Sequence, residues 1–243
     1  MLILRILRSL TFNSLMWLWT VFTALLCIPF LIAPRITLVY AMELWAGGIM
    51  FLLRYVGGIK YEIRGRENLP DKPALIALKH QSMWDTIILH LLIKDPVIIL
   101  KKELAGIPVY GWIAMRLGMI AVDRDSGASA LKKMVQQGKQ RLAGGQHIAI
   151  FPEGTRAEPG EAPDYKPGIA ALYKQLDVNC VPVALNSGLY WGRRSFTKHS
   201  GTIVIDVLPP IPPGLKRKAF MERLENDIET ATANLVAEAK ANR

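Results

Sequence analysis

Cysteine is scarce in this chain of 243 residues. Only Cys27 and Cys180 are present, and they lie in unlike surroundings. Two such cysteines exclude a disulfide framework and a cysteine-based metal site, and their scarcity favours a reducing compartment that faces the cytosol. Internal repeats and low-complexity linkers are also missing. We therefore expect one sizeable core, with or without an appendage.

Nucleic-acid motifs are absent as well, although the chain is strongly basic. Its formal net charge of +10 at pH 7 indicates an anionic partner: nucleic acid, an anionic membrane surface, or an acidic substrate or carrier. The basic segments lack the interleaved aromatic residues of nucleic-acid binders. We therefore expect no nucleic-acid partner.

Charged residues are missing from a long segment near the N-terminus. Residues 9–34 contain none, and the apolar run of residues 15–33 is long enough to span a bilayer. A second apolar stretch, residues 36–53, follows it. The two stretches predict a helical hairpin that attaches the protein to a membrane. A buried pair of core helices is the alternative, which the unbroken apolar length disfavours.

Basic residues around these stretches bear on how the hairpin sits in the membrane. Arg5, Arg8 and Arg54 lie at its outer ends, which suits a spanning hairpin with both ends in the cytoplasm. Arg35 lies at the turn, and a hairpin that is embedded without spanning explains it better. The sequence predicts attachment and leaves both arrangements open.

Beyond Gly58, short apolar strands alternate with helical segments. Seven candidate strands cover residues 59–64, 74–78, 97–100, 119–122, 147–151, 178–185 and 202–208. Helical periodicity occurs at residues 84–93 and 129–142, and again near the C-terminus. This alternation predicts an α/β fold with a mixed sheet flanked by helices. We assign residues 1–58 to the membrane-associated hairpin and residues 59–243 to an α/β domain with a C-terminal helix.

A histidine and a carboxylate follow the strand predicted at residues 74–78. His80 and Asp85 fall at the junction with the next helix, where open α/β sheets bind ligands. Ser82 is a candidate N-cap, and Asp85 in the first helical turn would point back at His80. Since no serine, cysteine or second histidine nearby in sequence completes a nucleophilic triad, we interpret the pair as a general base and its orienting residue. A helix-start carboxylate beside a surface histidine is the alternative.

A turn with phosphate-binding chemistry follows the strand predicted at residues 147–151. The segment from Phe151 to Arg156 has the sequence FPEGTR. Gly154 allows close approach of the backbone, while Thr155 and Arg156 offer a hydroxyl group and a forked cation. An exposed turn with no ligand is the alternative for this segment taken alone.

Two further cations also follow predicted strands. Lys101 comes directly after residues 97–100, and Arg124 comes shortly after residues 119–122. We expect both to emerge at strand ends, as His80 does. The apolar stretch of residues 181–185 can do no acid–base chemistry and is at most a wall of the site.

Together these segments resemble the glycerolipid acyltransferase family, and most closely its bacterial 1-acyl-sn-glycerol-3-phosphate acyltransferases. Four family motifs are matched in order: His-x4-Asp by His80 and Asp85, Gly-x5-Arg by Gly118 and Arg124, Phe-Pro-Glu-Gly-Thr-Arg by residues 151–156, and Val-Pro-Val by residues 181–183. The resemblance covers residues 61–185. Lys79 is a departure, because many members carry asparagine before the histidine.

The resemblance implies transfer of an acyl chain from acyl-CoA or an acyl carrier protein to the sn-2 hydroxyl of a lysophospholipid. His80 would be the general base, and Asp85 would hold the imidazolium. The substrate-binding residues that it implies are Lys101, Gly118, Arg124, Glu153, Gly154, Thr155 and Arg156. No metal or redox cofactor is expected, because a thioester is already activated. The expected location is a bacterial inner membrane, with the active site on its cytoplasmic face.

Other functions stay open at this point. The acceptor is either 1-acylglycerol 3-phosphate, which gives phosphatidic acid, or a lysophospholipid with another headgroup. A membrane-tethered protein that binds anions without chemistry is a further alternative, whereas a metal-dependent hydrolase is disfavoured because no further ligands lie at suitable spacing. The oxyanion donor is not identified, and a backbone N–H near the start of the helix at residues 84–93 is the candidate.

Overall fold

A seven-stranded sheet forms the centre of the computed structural model, which describes residues 2–162 and 164–241. Its strands are β1 (Ile59–Arg64), β2 (Leu75–Leu78), β3 (Val97–Lys101), β4 (Ile120–Val122), β5 (Ile148–Ile150), β6 (Cys180–Leu185) and β7 (Gly201–Val207). All seven predicted strands are present, with bounds that shift by at most two residues. The predicted α/β fold is confirmed.

The strand order is β1-β7-β6-β2-β5-β3-β4. Neighbouring strands are parallel except for β6 and β7, which are antiparallel, so the sheet is mixed as predicted. The central strands β2 and β6 are buried along their whole length, as apolar strands covered on both faces must be. The carboxyl ends of β2 to β6 therefore meet at one edge of the sheet.

Helices cover both faces of this sheet. They are α1 (Leu2–Cys27), α2 (Arg35–Tyr55), α3 (Trp84–Leu92), α4 (Lys102–Ala105), α5 (Tyr110–Leu117), α6 (Gly127–Ala143), α7 (Gly168–Leu176) and α8 (Arg217–Ala241). Side chains of β2 alternate between two cores: Ile76 and Leu78 pack with α2, α3 and α5, while Leu75 and Ala77 pack with α6, α7 and α8. The sheet is thus the middle of three layers.

The two N-terminal helices are long and apolar enough to cross a membrane. They also share a core with the α/β part, because Leu38 and Ile49 of α2 belong to the same cluster as Trp84. Their outer face is exposed and apolar, with Leu18 67% and Leu44 65% accessible. An exposed apolar surface of this kind, on two helices that follow the predicted hairpin, suggests membrane association.

The helical pair contacts the α/β part at both of its ends. Near the start of α1, the Ser9 hydroxyl accepts the backbone N–H of Lys198 at 2.9 Å. At the turn before α2, Arg35 forms an ion pair with Asp95. The pair therefore lies along the α/β part and does not project away from it.

Candidate active site

His80 and Asp85 meet at the carboxyl end of β2. The Nδ1 atom of His80 lies 3.0 Å from Oδ2 of Asp85, because the first turn of α3 directs the carboxylate back towards the strand end. The ring of His80 stacks on Phe151 with a centroid separation of 3.9 Å, and its side chain is 12% exposed. With Nδ1 donating to Asp85, Nε2 is the nitrogen that can accept a proton.

The carboxylate of Asp85 is fully buried and held by three groups besides His80. Its Oδ2 accepts the backbone N–H groups of Gln81 at 2.6 Å and Ser82 at 2.7 Å. Its Oδ1 accepts the hydroxyl of Ser187 at 2.6 Å. Ser187 is fully buried and donates to the carboxylate, so it orients Asp85 rather than supplying a nucleophile.

The first turn of α3 differs from the prediction in its capping. The N-cap position is Met83 instead of Ser82, although the Ser82 hydroxyl still accepts the backbone N–H of Trp84 at 3.1 Å. The N–H groups of Gln81, Ser82 and Trp84 are thus already engaged within this turn. These three donors are consequently not available for an oxyanion hole at the helix start.

A buried ionic network supports the backbone of His80. Lys79 is 2% exposed, and its Nζ lies 2.5 Å from Oε1 of Glu153 and 2.7 Å from Oε1 of Glu229. Tyr165 donates to Glu229 at 2.9 Å, and Oε2 of Glu153 accepts the N–H of His80 at 2.9 Å. Burial alone would lower the pKa of Lys79, but the two carboxylates outweigh burial and raise it. Lys79 is therefore a buried cation, and Glu153 connects it to the backbone of His80.

A cavity of about 950 Å³ opens over the carboxyl edge of the sheet, with His80 in its lining. Met42 and Trp45 of α2 border this cavity, together with Ile113 and Leu117 of α5. The apolar N-terminal helices and the histidine thus share one cavity. An aliphatic chain lying against these helices would occupy the same cavity as His80.

The cavity lining is also strongly cationic. Its Lys and Arg residues are Lys101, Arg124, Lys166, Arg156, Arg193 and Arg194, whereas the acidic residue among the described lining residues is Asp123. Gly154 has a φ of +69°, and a Cβ at this position would lie 3.5 Å from Nη1 of Arg124. That distance is an ordinary contact, so it is the left-handed backbone that favours glycine in this turn.

The predicted site residues divide into two groups. Those that border the cavity with His80 are Lys101, Arg124, Gly154, Thr155 and Arg156. Glu153 and Gly118 lie outside that lining: Glu153 faces Lys79, and Gly118 ends α5 with a φ of +87°. Neither residue is thus positioned to contact a ligand directly.

The Val-Pro-Val segment of β6 is not a wall of the cavity. Residues 181–185 are buried in the core and are not part of the cavity lining. The carbonyl of Val183 accepts the backbone N–H of Lys79 at 2.9 Å. This motif therefore fixes the end of β2, from which His80 emerges.

Arg193 and Arg194 are lining residues that the sequence did not single out. They belong to the loop between β6 and β7, and their charges reach Arg156. Burial lowers the pKa of Arg156, Asp85 raises it, and Arg193 and Arg194 lower it further. The feature of the sequence that could have predicted them is a pair of consecutive arginines in the segment after a predicted strand.

The described residues contain no group of three or more His, Cys, Asp or Glu side chains that could hold a metal ion. Cys27 and Cys180 are both buried and free. Burial raises the pKa of the Cys180 thiol, which disfavours the reactive thiolate.

His90 predicts a pH dependence of stability. It lines the cavity beside Trp45, and burial lowers its pKa to about 4, although Asp95 acts in the opposite direction. The unfolded chain therefore binds more protons than the folded one between about pH 6.5 and 4, so stability falls as the pH drops through this window. We expect the free energy of unfolding in detergent, measured by urea titration, to fall by a few kcal/mol from pH 7 to pH 4.

The His90→Gln variant serves as the control for this titration. In this variant the free energy of unfolding should depend much less on pH. Part of the dependence that remains comes from His147, because burial lowers its pKa as well. Equal slopes in the wild type and His90→Gln would show that His90 does not drive the loss.

Known proteins are similar to this chain in sequence and in fold. The profile of the acyltransferase family matches residues 60–186. A 1-acyl-sn-glycerol-3-phosphate acyltransferase of Pseudomonas aeruginosa is 37% identical over 186 residues, covering 75% of this chain and 72% of that protein. The human 1-acyl-sn-glycerol-3-phosphate acyltransferase alpha is 32% identical over 200 residues, covering 80% and 69%. The crystal structure of the 1-acyl-sn-glycerophosphate acyltransferase of Thermotoga maritima has the same fold, with a TM-score of 0.77, 96% of each chain covered and 20% identity.

Proposed function

Because this chain belongs to the acyltransferase family, we propose that it transfers an acyl chain from a thioester to the sn-2 hydroxyl of 1-acyl-sn-glycerol 3-phosphate, giving phosphatidic acid. The observation that carries this proposal is the His80–Asp85 pair at a cavity with both apolar and cationic walls. A lysophosphatidic acid has both an aliphatic chain and a phosphate to fill such a cavity. Its partners would be this acceptor, the membrane surface, and acyl-CoA or an acyl carrier protein as donor.

The chemistry needs one proton acceptor and no further nucleophile. Nε2 of His80 takes the proton of the acceptor hydroxyl while its oxygen attacks the thioester carbonyl. Asp85 stabilises the imidazolium through the 3.0 Å hydrogen bond to Nδ1. As the new C–O bond forms and the C–S bond breaks, the imidazolium returns its proton to the departing thiolate. At the end of the cycle His80 is again neutral and Asp85 is again a carboxylate.

The acceptor phosphate is held by cations on the β5, β3 and β4 side of His80. Arg156 follows β5, Arg124 follows β4 and Lys101 is the last residue of β3; all three line the cavity. Guanidinium groups donate forked, charge-assisted hydrogen bonds to phosphate oxygens. Thr155 adds a hydroxyl donor in the same lining. Fixing the phosphate fixes the hydroxyl beside His80, because only a few bonds separate the two groups.

The helical pair is embedded in one leaflet and does not span the bilayer. The pair contacts the α/β part both at Ser9 of α1 and at Arg35, beside the turn between the two helices, so this turn is not free to reach across the bilayer. Its exposed apolar face then lies among the acyl chains. The cytoplasmic face of a bacterial inner membrane is the location that fits, because acyl-CoA and acyl carrier protein are cytosolic donors.

A transfer assay tests the proposed function. The purified chain in vesicles is given a labelled acyl thioester, on CoA or on acyl carrier protein, with lysophosphatidic acid or lysophosphatidylcholine as acceptor. We expect labelled phosphatidic acid. Label on lysophosphatidylcholine alone would assign another headgroup, and no label on any lysolipid with either donor would contradict the function.

Arg156→Gln should weaken binding of the acceptor more than it slows chemistry. A charge-assisted hydrogen bond contributes about 1.5–3 kcal/mol, so we expect the KM for lysophosphatidic acid to rise about 10- to 100-fold, with a smaller change in kcat. Initial rates across acceptor concentrations measure both constants. Monoacylglycerol, which lacks the phosphate, is the matched control. If the variant raised the KM equally for both acceptors, Arg156 would lie outside the phosphate site.

A further inference from the structure

The loop between β6 and β7 is built against the catalytic turn. The backbone N–H of Gly188 donates to Oε1 of Gln81 at 3.0 Å, and the Ser187 hydroxyl donates to Asp85. A Cβ at Gly188 would lie 2.7 Å from Pro159, so only glycine fits this approach. The start of the loop is therefore locked to the residues on either side of Ser82.

The far end of the loop is locked as well. Lys198 is 1% exposed, and its Nζ donates to the backbone carbonyls of Ser195 at 3.0 Å and Phe196 at 3.1 Å. The same ammonium lies 4.8 Å from the ring centroid of Trp191. The segment between these anchors, which contains Arg193 and Arg194, has little freedom to rearrange.

Arg194 is held in an unfavourable backbone conformation within this segment. Its φ of +53° is in the left-handed region, which a residue with a long side chain rarely adopts. Such strain persists where the surroundings over-determine it, and it concentrates at functional sites. Both Arg193 and Arg194 line the cavity. The fold thus keeps two guanidinium groups there at a conformational cost.

Asp85 is the acidic group whose charge acts on Arg156, and its carboxylate is already paired with His80. Among the side chains that the structure describes, in residues 2–124, 126–162 and 164–241, no ion pair includes Arg156, Arg193 or Arg194. Three neighbouring cations repel one another unless an anion lies between them. The arrangement is therefore suited to a bound anion.

The order of the strands places His80 between two groups of cations. Strand β2, which delivers His80, lies between β6 and β5. Arg193 and Arg194 follow β6, while Arg156 follows β5. The charges of Arg193 and Arg194 lower the pKa of Arg156. The lining cations thus come from the ends of β5, β3 and β4 and from the loop after β6, and Arg156 is close enough to Arg193 and Arg194 for their charges to interact.

The proposed reaction brings two phosphates to this cavity. The acceptor carries one close to its hydroxyl, and the donor carries another at the far end of a 4′-phosphopantetheine arm, which CoA and acyl carrier protein share. We propose that Arg193 and Arg194 bind the phosphate of this arm and so direct the thioester to His80. This assignment rests on the proposed function and adds a donor subsite to it.

The test compares Arg193→Gln/Arg194→Gln with the wild type on three donors. With acyl-CoA and with acyl carrier protein we expect the donor KM to rise about tenfold or more, while the KM for lysophosphatidic acid stays unchanged. With acyl-pantetheine, which has no phosphate, the two proteins should behave alike. A matched control is Lys139→Gln/Lys174→Gln, which removes two exposed cations outside the cavity and should leave the donor KM unchanged.

Three results would overturn the assignment. A raised KM for lysophosphatidic acid would make the arginines part of the acceptor site. An effect with acyl-CoA but not with acyl carrier protein would assign them to the nucleotide phosphates of CoA. Unchanged donor KM values with both donors would leave them no role in donor binding.

Direct binding separates this proposal from the proposed function. Equilibrium dialysis of labelled 4′-phosphopantetheine, which carries the phosphate of the arm without the nucleotide, needs no turnover, and we expect the double variant to bind it at least about tenfold more weakly than the wild type. If the wild type transfers no acyl group, weaker binding by the variant still supports the subsite and only the reaction is wrong. Equal binding by the two folded proteins would refute the subsite.

Discussion

His80→Ala should lower kcat for acyl transfer by about 10²- to 10⁴-fold, the usual contribution of a positioned general base. The ring borders the cavity, and its loss removes the group that we propose as the acceptor of the hydroxyl proton. Its packing partner, Phe151, remains in place on the neighbouring strand end. We therefore expect a folded protein with nearly unchanged KM values. Steady-state rates with lysophosphatidic acid, together with thermal unfolding in detergent, measure both effects.

A second histidine provides the control for this result. His147 accepts the backbone N–H of Ala74 at 3.2 Å and lies outside the cavity lining, so His147→Asn should change kcat by no more than about a few-fold. Retained turnover in folded His80→Ala would exclude His80 as the base. Equal loss in both variants would point to a general loss of structure instead.

Lys79→Met should destabilise the protein by about 3–5 kcal/mol, because it removes the cation from a buried pair and leaves carboxylates behind. Glu153 is 2% exposed and loses the ammonium at 2.5 Å. Glu229 loses its contact at 2.7 Å, although its side chain is 26% exposed and water compensates part of that loss. The free energy of unfolding from urea titration in detergent measures the change.

Two variants calibrate this prediction. Lys72→Met removes an exposed lysine and should change stability by less than about 0.5 kcal/mol. The double variant Lys79→Met/Glu153→Gln should recover part of the loss, because no charged Glu153 is then left unpaired. A stability loss for Lys79→Met as small as that for Lys72→Met would show that the network contributes nothing net.

Local signals were sufficient to predict the elements of this fold. Strand β1 was predicted with its observed bounds, and α6 ends at Ala143, one residue after the helical periodicity predicted at residues 129–142. Apolar runs and glycines act over a few residues, so a single sequence contains them. The strand order is different, since β1 pairs with β7 from the other end of the chain. Nothing in the pattern of either strand identifies its partner.

In the candidate site, too, contacts between distant parts of the chain could not be predicted from the sequence. His80 and Asp85 are five residues apart, and helix geometry alone predicts that they meet. Ser187 and Glu229 contact the same turn from 102 and 150 residues away, respectively, and their roles depend on how β6 and α8 pack against it. Glu153 belongs to a recognisable motif, yet the direction of its side chain is decided by Lys79 on the neighbouring strand. Sequence patterns thus predicted the contact between His80 and Asp85 better than the residues that support it.

The wall that Trp45 and Met42 give to the cavity of His80 has a kinetic consequence. Moving a lipid with a chain of about sixteen carbons into water would cost about 12 kcal/mol, at about 0.8 kcal/mol per CH₂ group. If the apolar wall is set in a leaflet, as we propose, the enzyme meets its acceptor by lateral diffusion, and the chain stays among hydrocarbon throughout. We therefore expect the rate to follow the mole fraction of lysolipid in the surface. Diluting that surface with inert phospholipid would slow the reaction even at constant bulk concentration.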